Sequence, residues 1–282
     1  MSAGYIRGGL VGMLLMHTGG AGALAQLPGT PTELPCARSA VLVTVDGGTG
    51  SGTMIDTRGY VLTNHHVVAP VLVPGFDGPN LRARAHVRIQ IPGVGTLDAS
   101  EVYDAEIIAA DAEIDLALIR ITGHAGEAPR DDLRFDAVLL ADGDALGTGT
   151  SVRVLGYPFG HRTLTILSGT ITGRREQTDG TVEWMTTDAP FNPGNSGGTV
   201  VDSQCRLVGV PTQVYRGGLN PVNMARPIDA RVRAYVDSAR HVAERRTPTS
   251  TSGAGHTQVA FGSAPSATPD KVQPPHRRRR RR

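Results

Sequence analysis

Short apolar runs set the pattern of the chain. Val41-Leu42-Val43-Thr44-Val45, Val87-Arg88-Ile89-Gln90-Ile91 and Leu116-Ala117-Leu118-Ile119-Arg120-Ile121 are β-branched or aliphatic, and Gly, Pro and Asp break the sequence between such runs. Alternation at 87–91 fits a half-buried strand, and the continuous run at 116–121 fits one buried on both faces. The same reading predicts strands at 41–45, 53–56, 60–63, 87–91, 102–108 and 116–121. A second set falls at 152–158, 163–168, 170–172, 182–186, 199–201, 207–214 and 222–225. Gly47 to Gly52 reads as a glycine turn, residues 70–85 as an irregular loop, and 122–150 as a polar crossing between the two sets. Two groups of about six strands predict an all-β fold of two six-stranded antiparallel barrels packed together, one at about 38–125 and one at about 145–230.

After Pro227 the period changes. Ile228, Val232, Tyr235, Val236, Ala239 and Val242 recur at helical spacing, which predicts one amphipathic helix over 228–246, with Pro227 in its first turn, packed on the second barrel. Residues 247–282 are rich in Thr, Ser, Gly and Pro and are expected to be a disordered tail. Six arginines, Arg277 to Arg282, close it, and removing them turns the net charge of +2 into −4. The folded part is therefore not a basic nucleic-acid-binding body. The arginine run offers contact with anionic surfaces, or simply a solvated end.

At the other end, Arg7, the apolar stretch from Leu10 to Met16 and the small residues of Ala23-Leu24-Ala25 describe a signal peptide over 1–25. A Pro-rich lead-in, 26–37, follows. The apolar stretch is too short to span a bilayer and no later stretch qualifies, so an exported protein, periplasmic or secreted, without a transmembrane segment is expected. Export makes a disulfide between Cys36 and Cys205 chemically possible; two free buried thiols are the rival, and no CxxC pattern suggests a metal.

Candidate chemistry centres on Pro193-Gly194-Asn195-Ser196-Gly197-Gly198. Glycines on both sides leave the backbone free and the hydroxyl unshielded, and a tight turn here can aim consecutive N–H groups at an oxyanion. By itself this is an ordinary Pro/Gly/Asn turn. A nucleophilic serine needs a histidine to take its proton and a carboxylate to orient that histidine. His65-His66 at the end of the 60–63 strand supplies the first, and Asp115 at the mouth of the 116–121 strand supplies the second.

His66, Asp115 and Ser196, in that chain order, carry a resemblance. Gly50-Ser51-Gly52-Thr53, then Thr63-Asn64-His65-His66-Val67, Asp115-Leu116-Ala117-Leu118-Ile119, Gly156-Tyr157-Pro158-Phe159-Gly160 and the block from Asp188 to Gly198 resemble the protease domain of the HtrA/Deg-type trypsin-like serine endopeptidases over roughly residues 38–240. The resemblance implies a chymotrypsin-like fold and a catalytic triad of His66 as general base, Asp115 as its orienter and Ser196 as nucleophile. It implies an oxyanion hole of Gly194, Asn195 and Ser196, polypeptide substrates, and no metal or organic cofactor. Ala189-Pro190-Phe191 and Pro211-Thr212-Gln213 would wall the pocket for the substrate residue before the scissile bond. Neither segment places an acid there, so small or medium aliphatic residues are expected rather than Lys or Arg. Proteases of this group usually carry PDZ domains, whereas only about 36 residues follow the helix here. Regulation through a PDZ domain is therefore not expected.

Two other readings stand beside this one. Gly194-Asn195-Ser196-Gly197-Gly198 also satisfies the esterase elbow, but Thr199-Val200-Val201 is poor helix material and the later histidines lie in the terminal helix and tail. A catalytically inactive trypsin-fold binding module is the alternative from a different class; no triad position is missing to favour it.

Overall fold

The structure, a computed structural model, describes residues 34–72, 87–176, 182–216 and 221–246. The predicted signal peptide, most of the lead-in, nearly all of the 70–85 loop and the tail lie outside these residues. Twelve strands wind into two closed antiparallel barrels. The first holds β1 (Ala40–Val45), β2 (Gly48–Asp56), β3 (Tyr60–Thr63), β4 (Val87–Pro92), β5 (Ala99–Asp111) and β6 (Leu116–His124), and the second holds β7 (Ser151–Gly156), β8 (Thr165–Glu176), β9 (Val182–Thr187), β10 (Thr199–Val201), β11 (Leu207–Tyr215) and β12 (Val222–Pro227). The order β1-β2-β3-β6-β5-β4 is repeated as β7-β8-β9-β12-β11-β10, so both barrels share one winding.

Strand alternation explains why so many runs are apolar on both faces. Val41, Val43, Val61, Ala117 and Ile119 point into the first barrel. Their neighbours Leu42, Tyr60, Leu62, Leu116 and Leu118 point outward into a second core, shared with Leu155, Tyr157, Leu207 and Val210 of the other barrel. Successive side chains on a strand face opposite ways, so each such strand feeds two cores at once. Val152, Val154, Met185, Val200 and Val208 fill the second barrel.

Two predicted breaks prove to be strand. β2 begins at Gly48, within the expected glycine turn, and pairs with β1 from Gly48↔Val45 to Thr53↔Ala40. The glycines serve close approach: a Cβ at Gly52 would lie 2.6 Å from Val61 and 3.0 Å from Val41 and Val43, and one at Gly50 would lie 2.7 Å from Val67. The predicted strands at 163–168 and 170–172 are one strand, β8. Gly169 sits inside it because the chain at Asp188-Ala189 passes too close for any side chain.

The terminal helix α2 (Ala230–Arg246) also departs from expectation. Pro227 ends β12, paired with Gly209, and the Ile228 N–H still bonds Val208 O at 3.0 Å. Asp229 starts the helix instead: its Oδ1 accepts the Val232 N–H at 2.7 Å and its carbonyl the Arg233 N–H at 3.1 Å. The polar contacts of α2 run to the first barrel rather than the second. Tyr235 donates to Leu116 O, Arg231 pairs with Glu113, Arg240 with Asp56, and Glu244 with Arg58. Val232, Val236, Ala239 and Ala243 close the core between the barrels.

Candidate active site

The seam between the barrels is built of hydroxyls on β2. Ser51 and Thr53 are fully buried, and both face the second barrel. Ser51 Oγ accepts the Tyr157 N–H at 2.8 Å and donates to Gly194 O at 2.7 Å, while the Ser51 N–H donates to Ser196 O at 2.9 Å. Thr53 Oγ1 donates to Gly198 O at 3.1 Å and lies 2.7 Å from Thr199 Oγ1. The turn that carries Ser196 is thus hydrogen-bonded to the first barrel on both sides of the serine. Gly194 and Gly197 take φ of 97° and 80°, which glycine alone adopts without strain. A Cβ on Gly197 would strike Thr63, Ser51 and Asn64, so the turn rests directly on the strand that leads to the histidines.

His65 and His66 open a one-turn helix, α1 (His65–Val68), rather than ending a strand. Asn64 leaves β3 extended, and the chain then coils to bury Val67 and Val68 in the first barrel. This places the two imidazoles on neighbouring positions of a helical turn, with His66 the more exposed. Asp115 lies between β5 and β6 with φ of 52°, a left-handed conformation that Asp tolerates better than most residues. Its carboxylate holds His66 twice: Oδ1 accepts the backbone N–H at 3.0 Å, and Oδ2 lies 2.8 Å from Nδ1. With Nδ1 engaged, Nε2 is the nitrogen left to receive a proton.

A residue that the sequence reading left without a role links these parts. Asn64, fully buried, donates from Nδ2 to Asp115 O at 2.7 Å and to Thr212 Oγ1 at 3.2 Å. Its place in the Thr63-Asn64-His65-His66-Val67 motif was the available signal. Thr212 O in turn receives the Ser196 hydroxyl at 3.4 Å; among the described residues this is the one hydrogen bond of that hydroxyl, and none joins it to His66. In the turn, the Asn195 N–H is taken by Asn192 O at 2.9 Å. The N–H groups of Gly194 and Ser196 meet no acceptor among the described residues. Asn195 itself is buried beneath the turn, its side-chain amide without a hydrogen bond.

Beside Ser196 opens a cleft of about 250 Å³ lined by Phe191, Asn192, Pro193, Pro211, Thr212, Gln213, Val214 and Arg216. Phe191, Pro211, Thr212 and Gln213 are the expected wall residues; Ala189 is fully buried and, like Pro190, does not line it. The Cys36 and Cys205 sulfurs are bonded, with Cα atoms 5.6 Å apart, and tie the segment before β1 to the β10–β11 turn. Among the described residues no helix is long and apolar enough to cross a membrane.

Comparison with known proteins agrees with the two-barrel fold. A probable periplasmic serine endoprotease DegP-like of Marinomonas sp. (strain MWYL1) is 36% identical over 182 residues, covering 63% of this chain and 33% of that protein. Protease Do-like 1, chloroplastic, of Arabidopsis thaliana is 32% identical over 195 residues, covering 66% of this chain and 38% of that protein. The chain therefore spans about a third of the length of the curated relatives it matches. Among solved structures, Deg5 aligns with a TM-score of 0.54 at 29% identity, covering 70% of this chain and 87% of that one. The HtrA-type protease AlgW, solved with a tripeptide, aligns with a TM-score of 0.54 at 25% identity, covering 73% of this chain and 60% of that one. The family profile of the trypsin-like peptidase domain matches residues 50–210, more than half of the sequence, and the chain belongs to that family.

Proposed function

We propose that the protein is an exported serine endopeptidase that hydrolyses peptide bonds through His66, Asp115 and Ser196. The observation that carries this reading is the double hold of Asp115 on His66, on a helical turn that begins where the Ser196 turn rests against Thr63 and Asn64. Attack begins when the Ser196 hydroxyl turns from Thr212 O toward the imidazole. Oγ bonds to the substrate carbonyl carbon as Nε2 of His66 takes its proton, and the carbonyl π pair moves onto oxygen. The N–H groups of Gly194 and Ser196, free of acceptors among the described residues, receive that oxyanion, with Asn195 fixing the turn between them. His66 then returns the proton to the departing amine, and water, activated by the same imidazole, releases the acyl group from Ser196. Asp115 keeps its charge throughout and stabilises the imidazolium.

Export is supported by the disulfide, which persists in oxidising compartments, by the N-terminal sequence pattern, and by the periplasmic naming of the DegP-like relatives. Polypeptides are the substrates this machinery fits. Casein cleavage by the full chain beside its Ser196→Ala variant tests the reading. Activity and fluorophosphonate labelling are expected in the parent chain and absent in the variant. Equal activity in both would overturn the assignment, and a parent chain that neither cleaves nor labels would favour a trypsin-fold binding module.

A further inference from the structure

We propose that Arg216 makes the cleft beside Ser196 selective for an acidic substrate side chain; the proposal rests on the serine endopeptidase reading. The sequence alone leads to an aliphatic residue here, because the wall segments it identifies end at Gln213 and carry no acid. β11 ends at Tyr215, and Arg216, the next residue, is part of the lining of the same cleft as Ser196. Among the described residues every other lining residue is neutral, so Arg216 is the one ionisable side chain they bring to the lining.

Arg153, Arg175, Arg233 and Arg245, like Arg216, have no carboxylate partner among the described residues, and of these five Arg216 alone lines the Ser196 cleft. Arg38, Arg58, Arg174, Arg206 and Arg240 each hold a carboxylate of the protein itself. Arg216 is exposed and has no hydrogen-bond or ion-pair partner among the described residues. The nearest acid upstream of the nucleophile, Asp188, is occupied by the Thr170 N–H and hydroxyl. A guanidinium with an open fork matches a carboxylate with two parallel hydrogen bonds. The rest of the cleft suits the stem of such a residue: Phe191, Pro193, Pro211 and Val214 offer carbon to its methylenes, and Asn192 and Gln213 offer further amide donors. A substrate Lys or Arg entering here meets a like charge and a wall without acceptor carboxylates, which sets selection by repulsion beside selection by attraction.

The test uses the full chain and a peptide library randomised at the residue before the scissile bond, followed by matched peptides carrying Glu, Gln, Val or Lys there. The parent protein is expected to cleave the Glu peptide with kcat/KM about tenfold above its Gln isostere, and the ratio is expected to fall as salt is raised. Arg216→Ala should bring the Glu/Gln ratio close to one, and Arg216→Glu should reverse the order of Glu and Lys, both with an unchanged melting temperature. A parent enzyme that prefers Val to Glu, or a Glu/Gln ratio that survives Arg216→Ala, would overturn the proposal while leaving proteolysis intact. If the parent chain cleaves no peptide and Ser196 takes no fluorophosphonate, the endopeptidase reading falls and this proposal with it.

Discussion

Thr53 Oγ1 and Thr199 Oγ1 lie 2.7 Å apart, both fully buried, one on each barrel. Thr53 also reaches Gly198 O at 3.1 Å, so a single hydroxyl ties β2 to the end of the nucleophile turn. Thr53→Val keeps the shape and removes the donor, leaving a buried carbonyl and a buried hydroxyl short of a partner. The expected loss is about 1–3 kcal/mol in denaturant unfolding. Because the released groups adjoin Ser196, kcat should fall along with stability, whereas a Val replacement of an exposed threonine should change neither.

Asp115→Asn separates charge from shape. Asn tolerates the left-handed backbone that Asp115 occupies and can still accept the backbone N–H of His66. It cannot stabilise the imidazolium, and its amide can present a donor to Nδ1, which favours the wrong tautomer. A kcat loss on the order of 10⁴ with little change in melting temperature is expected. A fall of less than tenfold would remove Asp115 from the mechanism.

The Cys36–Cys205 bond closes a loop across 169 residues, containing the whole first barrel and β7 to β10 of the second. Replacing both cysteines by alanine should cost about 2–5 kcal/mol in urea unfolding, chiefly by freeing the unfolded chain. Peptide cleavage at low temperature should survive, because neither sulfur lies in the Ser196 cleft.

Asp202 gives a pH dependence with a defined sign. Burial works to raise its pKa, but the Arg206 backbone N–H, the Arg206 guanidinium and the Gln204 N–H together hold it below the ordinary 3.8. A carboxylate with a lowered folded value contributes stability that is present above about pH 4 and lost as pH falls through the folded value. Asp202→Asn should therefore lower the melting temperature at pH 6 and make less difference below pH 3. A difference that grows on acidification would contradict this assignment.

Much of the candidate site was legible from short contiguous motifs, and the structure brings two of the nominated residues, His66 and Asp115, into contact. His66, Asp115 and Ser196 each sit in a block whose neighbours fix the local backbone, so residue type and order sufficed to nominate them. Strand positions were legible where alternation is clean, as at 87–91. The failures share a cause: a residue whose reason lies in a distant part of the chain. Gly50 and Gly52 read as a turn because nothing local shows Val61 and Val67 pressing on them. Pro227 read as a helix start because its pairing partner Gly209 is far away in sequence. Asn64 looked like a spacer until Asp115 and Thr212 came within reach of its amide. Arg216 too lies outside every motif, and only the fold places it in one cleft lining with Phe191 and Pro193.

The hydroxyl stitching between the barrels has a consequence for the newborn chain. Neither half carries the whole of the proposed site: the imidazole and its carboxylate come together beside β3, β5 and β6, but the serine loop is hydrogen-bonded to β2 of the earlier half. Under the proposed mechanism, a partly made chain is expected to lack peptidase activity until the second barrel closes against β2.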